Sequence, residues 1–161
     1  MSAPTDDDAL WSLLDATRPD LAKLAAHLEA MSQGELEAYQ LAFVRSMEDV
    51  ASDWSDGIRV GDRVLSEDDM EDFCAWVVGE GRAIFERATA PGADLAALVT
   101  LRDSAERGGV EAHPRWAPTR PLASDLRGYL SPYYLAIPIY ERRFEGDLRA
   151  RVEELLDAED A

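Results

Sequence analysis

Apolar residues recur at steps of three and four residues along most of the chain, which is the spacing of helices that bury one face. The clearest stripe follows Ser32 and Glu35, which have the spacing of a capping box. Its members are Leu36, Tyr39, Phe43, Met47, Val50 and Trp54. Shorter stripes predict helices around 10–14, 21–31 and 95–101, and a charged helix over about 144–158. The predicted fold class is therefore all-α, a single compact helical bundle of five or six helices.

A further apolar stripe runs from Met70 to Ala88 and predicts one continuous helix over 67–88. Five carboxylates crowd its start, in SEDDMED (66–72), where Ser66 and Asp69 form a looser capping box. Acidic residues in a first turn complement the helix dipole, and the others fall on the polar side of the helical wheel. We interpret the cluster as a solvated helix start and not as a catalytic site. A helix broken near Gly79, or acidic side chains aimed at a shared ion, would contradict that interpretation.

One edge of this predicted helix carries candidate binding residues. Trp76 lies between Asp69 and Glu80 on the wheel, so its indole, flanked by carboxylates, could meet a partner or a cationic ligand. The alternative is that Trp76 packs under a neighbouring loop. Arg82, on the opposite side of the wheel, and Trp54 are further candidate binding residues.

The C-terminal third differs from the rest of the chain. Residues 110–123 hold three prolines without periodicity, which indicates an extended connector. Four of the five tyrosines follow, so we predict an extended Pro/Tyr-rich C-terminal segment. Tyr133 and Tyr134 are candidate binding residues in a pocket or peptide groove; alternatively the segment wraps the bundle and buries its rings. The predicted division is a helical core over 5–107 and a connector, aromatic segment and C-terminal helix packed on it over 108–161.

The net charge of the chain limits the classes of partner that it can bind. There are 33 acidic against 16 basic residues, a formal net charge of −17. Nucleic-acid phosphates and anionic membranes both require a basic face, so neither is expected as a partner. A basic protein partner or peptide is compatible with this charge. Three other features bear on localisation. Cys74 is the single cysteine, so no internal disulfide can form. No apolar run is long enough to span a membrane, and MSAPTDDDALW lacks the features of a secretory signal. We therefore expect a cytoplasmic protein.

Motifs for metal or cofactor chemistry are not found. The two histidines, His27 and His113, are far apart in sequence and match no zinc spacing. Cys74 lies in an apolar stripe without a basic neighbour to form a thiolate. No catalytic residue, metal ligand or cofactor is predicted, and the chain is expected not to be an enzyme.

The order of these features resembles domain-of-unknown-function family 4240. The resemblance covers roughly 9–97 and includes the pattern of serine, acids, tryptophan and Gly-Arg in the 66–86 region. The matching residues are Trp11, Ser32, Glu35, Leu36, Trp54, Ser66, Glu67, Asp68, Phe73, Trp76, Val77, Val78, Gly81, Arg82, Phe85, Glu86 and Pro91. Met70 and Cys74 depart from the phenylalanine and arginine that are usual in the family. The resemblance implies a bacterial protein with a compact helical fold, and implies no established activity, cofactor or catalytic residue.

Two functional classes follow. The first is a non-enzymatic binding protein, of the adaptor, regulatory or immunity-like kind, whose acidic surface engages a protein partner. The alternative is a small-molecule or peptide-binding protein, or an enzyme accessory, with a pocket between the 67–88 helix and the tyrosine-rich segment.

Overall fold

The computed structural model describes residues 6–52 and 57–161, and most of these residues are helical. The helices are α1 (Asp6–Thr17), α2 (Leu21–Glu29), α3 (Gln33–Ala51), α4 (Glu67–Gly79), α5 (Arg82–Thr89), α6 (Leu95–Glu106), α7 (Pro132–Arg143) and α8 (Leu148–Glu159). The one sheet in the described residues is a hairpin of β1 (Arg59–Val60) and β2 (Arg63–Val64), turned at Gly61 with a positive φ of 61°. The all-α prediction is confirmed, whereas the predicted number of five or six helices is not, since the described residues form eight α-helices.

The described residues form two compact units. The first unit combines the described part of Met1–Val44 with Trp116–Ala161, and the second unit is Arg45–Arg115. The boundary falls within α3. The prediction of a single bundle is therefore not confirmed, and the predicted division at residue 107 stays a prediction.

In the first unit, α7 is the central helix. It packs against α2, α8 and a short 3-10 turn at Ser124–Leu126, and α1 packs against α2. The side chains of Leu24 and Leu28 from α2 and of Leu135 and Ile139 from α7 are fully buried, as the apolar stripes of these helices require.

The proline-rich connector is attached to the start of α2. Asp20 caps that helix by accepting a hydrogen bond from the Ala22 N–H at 2.9 Å. The Thr119 hydroxyl and N–H both donate to the same carboxylate, at 2.5 and 3.1 Å. Ala117 exchanges backbone hydrogen bonds with Pro19 and Leu21, so the connector runs beside the entry to α2.

The tyrosine-rich part of the chain is helical, so the prediction that this segment is extended is wrong for Tyr133, Tyr134 and Tyr140, which lie on α7. Ser131 caps α7 and Pro132 occupies its first turn, a favourable start for a helix. Pro138 lies inside the helix. A proline in a helix interior normally predicts a break, which is why the sequence pattern concealed α7.

In the second unit, α4 packs against α5 and α6, and α6 packs against β1. Phe73 and Val77 of α4 and Val99 of α6 are fully buried. The hairpin is closed by a hydrogen bond from the Leu65 N–H to the Ile58 carbonyl, and both of those side chains are buried.

The predicted single helix over 67–88 is wrong, because α4 ends at Gly79 and the chain breaks before α5. The break meets one of the two conditions set against interpreting the acidic cluster as a solvated, non-catalytic helix start, so that interpretation no longer has the support of a continuous helix. Glu80 caps α4, and Gly81 adopts φ 100° and ψ −179° before Arg82 begins α5. That combination is accessible essentially to glycine alone. The apolar spacing continues across the break because both α4 and α5 bury one face. The spacing depends on which side chains are buried and is not affected by the backbone dihedrals of Gly81.

None of the helices in the described part of the chain has the length and apolarity that crossing a bilayer requires.

Candidate functional site

The first unit contains an open cleft of about 570 Å³. The start of α3 forms one side of it through Gln33, Gly34 and Glu37. The other lining residues are Tyr140, Glu145, Gly146, Asp147, Ala150, Arg151 and Glu154. Four carboxylates and one guanidinium thus line the cleft, and Tyr140 is the one aromatic side chain among its described lining residues. The charged side chains of the cleft are therefore mostly acidic, and most of its lining side chains are polar or charged, unlike those of most drug-sized ligand sites.

Glu37 forms the base of the cleft. Its side chain is 14% exposed, and it accepts a hydrogen bond from the Tyr140 hydroxyl at 3.1 Å. Gln33 donates through Nε2 to the same hydroxyl oxygen at 3.0 Å. Because Tyr140 is itself buried, this chain of hydrogen bonds fixes the position of the Glu37 carboxylate.

Arg151 connects Glu37 to the rim of the cleft. Its Nε donates to Glu37 Oε1 at 3.0 Å and its Nη1 donates to Glu154 Oε2 at 3.1 Å. The hydrogen bonds to Glu154 and Glu37 raise the pKa of Arg151. Arg151 is 44% exposed and Glu154 is 68% exposed, so this end of the network is in contact with solvent.

Two helices begin at the cleft, and each already has its cap. Asp147 accepts hydrogen bonds from the N–H groups of Arg149 and Ala150 at the start of α8. At the start of α3, the predicted capping box is confirmed: the Glu35 N–H donates to Ser32 Oγ, and the Ser32 N–H donates to the Glu35 carboxylate. Helix N-termini commonly attract anions. Here the capping side chains already accept hydrogen bonds from N–H groups at both helix starts. The exposed carboxylates therefore give the cleft a negative charge.

Tyr133 and Tyr134 do not line this cleft. Their rings lie 4.7 Å apart between centroids, and the ring of Tyr133 lies 5.7 Å from that of Phe43. The Arg149 guanidinium lies over the Tyr134 ring at 5.7 Å. Both tyrosines are half-buried, so they belong to an aromatic cluster on the packed side of α7.

Asp69 and Arg82, the charged candidates near the two ends of the predicted 67–88 helix, take part in local interactions. Asp69 accepts a hydrogen bond from the Ser66 N–H while its own N–H donates to Ser66 Oγ, which is the predicted capping box of α4. The Ser66 side chain and N–H hold the pKa of the Asp69 carboxyl below its ordinary value. Arg82 is exposed and pairs with Glu86 one turn further along α5 at 3.0 Å.

Trp76 and Glu80 do come together, with a third residue that the sequence pattern did not connect to them. Glu80 Oε2 lies 3.3 Å from His113 Nδ1, and the Glu80 side chain is only 2% exposed. The Trp76 ring lies 6.3 Å from the His113 ring and stacks on Phe73 at 6.2 Å. The expectation that Glu80 flanks an exposed indole is wrong, because the residue caps the C-terminal end of α4 and is buried at the break.

Trp54 lies outside the described residues, and the predicted pocket between the 67–88 region and the tyrosine-rich segment stays a prediction. Within 6–52 and 57–161, no group of three or more histidine, cysteine or acidic side chains is arranged to hold a metal ion.

No local sequence pattern marks the cleft. Its residues come from three separate segments, and residues 33 and 154 are far apart in sequence. The usable signals were local: the glycine and aspartate at 146 and 147, which predict a helix start, and the Arg151–Glu154 spacing of a helical ion pair.

Comparison with known proteins identifies one relationship. No curated protein and no solved structure matches the chain. A family model matches residues 6–117, a longer stretch than the 9–97 predicted from the motifs. The matched region contains Gln33, Gly34 and Glu37 of the cleft, whereas Tyr140 and the α8 residues follow it. Since the match covers well over half of the chain, the protein belongs to the family described as Protein of unknown function (DUF4240).

Proposed function

We propose that this protein is a non-enzymatic binding protein, of the adaptor, regulatory or immunity-like kind, whose acidic cleft receives a basic segment of a protein partner. The observation that carries the proposal is the convergence of Glu37, Glu145, Asp147 and Glu154 on one concave surface, with Arg151 as the single cation among the lining residues that the structure describes.

The chemistry of the cleft favours a cationic side chain over an apolar ligand. A small molecule of ordinary polarity is usually held by apolar side chains with a few polar contacts, whereas four of the side chains that line this cleft are carboxylates. Complementary charge also accelerates encounter between partners and fixes their orientation. The net charge of −17 acts in the same direction at long range.

The arrangement of the carboxylates supports a binding role because they differ in exposure. Glu37 is held rigidly at the base by Tyr140, while Glu145 and Glu154 are exposed at the rim. A fixed inner acceptor with exposed outer acceptors suits a long basic side chain, whose charged head reaches the inner carboxylate while its stem lies against the rim.

The proposal is tested by fluorescence anisotropy with a labelled peptide of arginine, glycine and serine, titrated with the full chain. We expect saturable binding at about 10 mM NaCl that is strongly reduced at about 1 M, where charges are screened beyond about 3 Å. The cleft variant is Glu145→Gln with Glu154→Gln, which should weaken binding about three- to tenfold, as expected for rim charges of an interface.

The matched control is Glu153→Gln with Asp157→Asn. Both residues are exposed on α8, and neither is among the lining residues of the cleft. The two double variants change the net charge equally, so binding to the cleft predicts a clear difference between them. Equal weakening would show that the peptide responds only to overall charge. Binding that does not depend on salt, or no binding at low salt, would overturn the proposal.

A further inference from the structure

The cleft of the free protein already holds a guanidinium group. Arg151 approaches Glu37 through Nε at 3.0 Å and Glu154 through Nη1 at 3.1 Å. Two different N–H groups of one planar side chain thus bind two separate carboxylates. The arrangement shows which cation fits between these acceptors.

We infer that Arg151 is an internal occupant of the site, and that an arginine side chain of the partner takes its place on binding. The inference rests on the proposed function and specifies both the ligand class and its regulation. A guanidinium presents donors in a fixed planar fork, whereas an ammonium is a point charge without that geometry. The cleft therefore selects arginine over lysine, and the free protein is partly self-inhibited.

The network allows Arg151 to leave without collapse of the site. Glu37 keeps its hydrogen bond from the Tyr140 hydroxyl, which Gln33 also holds. The inner carboxylate therefore stays in position when the guanidinium moves away. Arg151 is 44% exposed and Glu154 is 68% exposed, and an ion pair with this much solvent contact is weak enough to exchange. The hydrogen bond of Arg151 to Glu37, which is 14% exposed, must also open, and the incoming guanidinium replaces it.

The test uses Arg151→Met, which keeps most of the aliphatic stem and removes the guanidinium. Arg149→Met is the matched control, since it removes the same charge from the same helix, over the Tyr134 ring and not among the lining residues of the cleft. The probes are N-acetyl-arginine amide and N-acetyl-lysine amide, which carry one cation each. Binding is followed by the amide shifts of Gly34 and Gly146 in ¹⁵N NMR spectra of the full chain.

We expect Arg151→Met to bind the arginine probe about fivefold or more tightly than the unmodified protein, since a competing intramolecular pair has been removed. Arg149→Met should stay close to the unmodified protein, and the lysine probe should gain less than the arginine probe in the Arg151 variant.

Each other outcome has a distinct meaning. Equal gains in both arginine variants would reflect net charge and overturn the internal-occupant inference. Weaker binding in Arg151→Met would make Arg151 part of the binding surface, which also overturns the inference but leaves the proposed function standing. Equal affinity for the two probes would overturn the selection of guanidinium. If neither probe nor the longer basic peptide binds any of these proteins, the proposed function fails as well. Should Arg151→Met not fold, Arg151→Lys replaces it, with a smaller gain for the arginine probe expected and no gain counting against the inference.

Discussion

Gly81→Ala should change the free energy of unfolding in opposite directions for a broken and for a continuous helix over 67–88. Gly81 has φ 100° and ψ −179° between α4 and α5, a region that is essentially restricted to glycine and that costs other residues about 1–3 kcal/mol. We therefore expect Gly81→Ala to lower the free energy of unfolding by about 1–3 kcal/mol. In a continuous helix over 67–88 the same change would raise it by about 1 kcal/mol, because alanine is the better helix former.

The assay is urea unfolding of the full chain followed by circular dichroism, with the midpoint compared at constant slope. Gly34→Ala is the control. Gly34 lies in the first turn of α3, and an added Cβ would meet no atom within 4 Å, so this change should stabilise by about 0.4–1 kcal/mol. A stabilising Gly81→Ala, of the same sign as Gly34→Ala, would refute the break between α4 and α5.

Three further outcomes are expected. Tyr39→Phe should destabilise by about 1–3 kcal/mol in urea unfolding, because it leaves the buried Pro132 carbonyl without the hydroxyl that donates to it at 2.8 Å; an unchanged midpoint would contradict this hydrogen bond. Burial raises the pKa of the Cys74 thiol to about 12, so Ellman's reagent at about pH 8 should react only after unfolding, and rapid reaction of the folded protein would show that the thiol is accessible. Hydrogen bonds from Thr119 lower the pKa of Asp20 below 3.8, so the stability it provides is present above that pH and is lost as the pH falls through the folded-state pKa; the difference between the unmodified protein and Asp20→Asn should therefore shrink on acidification, and a constant difference would contradict the assignment.

Much of the secondary structure was predictable from the chain, because most helices carry their own local signals. The stripe from Leu36 to Val50 lies on α3, and Ser32 and Ser66 form the capping boxes that their sequences indicate. These features depend on residues three or four positions apart. The resemblance to the family also rests on them, and the family match confirms it.

The two errors in secondary structure have a common cause. Gly81 stops a helix through a backbone conformation that apolar spacing does not record, and Pro138 lies inside a helix where the usual rule predicts a break. In both places the backbone conformation differs from the one that the local sequence pattern predicts. The burial of Glu80 beside His113 was not predicted either, because it depends on the break, which places Glu80 at a helix end.

The cleft was beyond local pattern reading for a different reason. The charge of the chain predicted a cationic partner class, but Glu37, Tyr140 and Arg151 meet only because α3, α7 and α8 bring distant segments together. In a sequence with 33 acidic residues, spacing does not indicate which carboxylates converge. That information lies in the packing of the first unit.

The most direct measurement of the central claim is a ¹⁵N NMR titration of the full chain with the arginine-containing peptide at low salt. If a basic segment enters the cleft, the largest amide shifts should fall on Gly34, Gly146 and Ala150, with small changes at the acidic start of α4. Shifts centred on residues 66–72, or spread evenly over the acidic surface, would contradict the assignment of this cleft as the binding site.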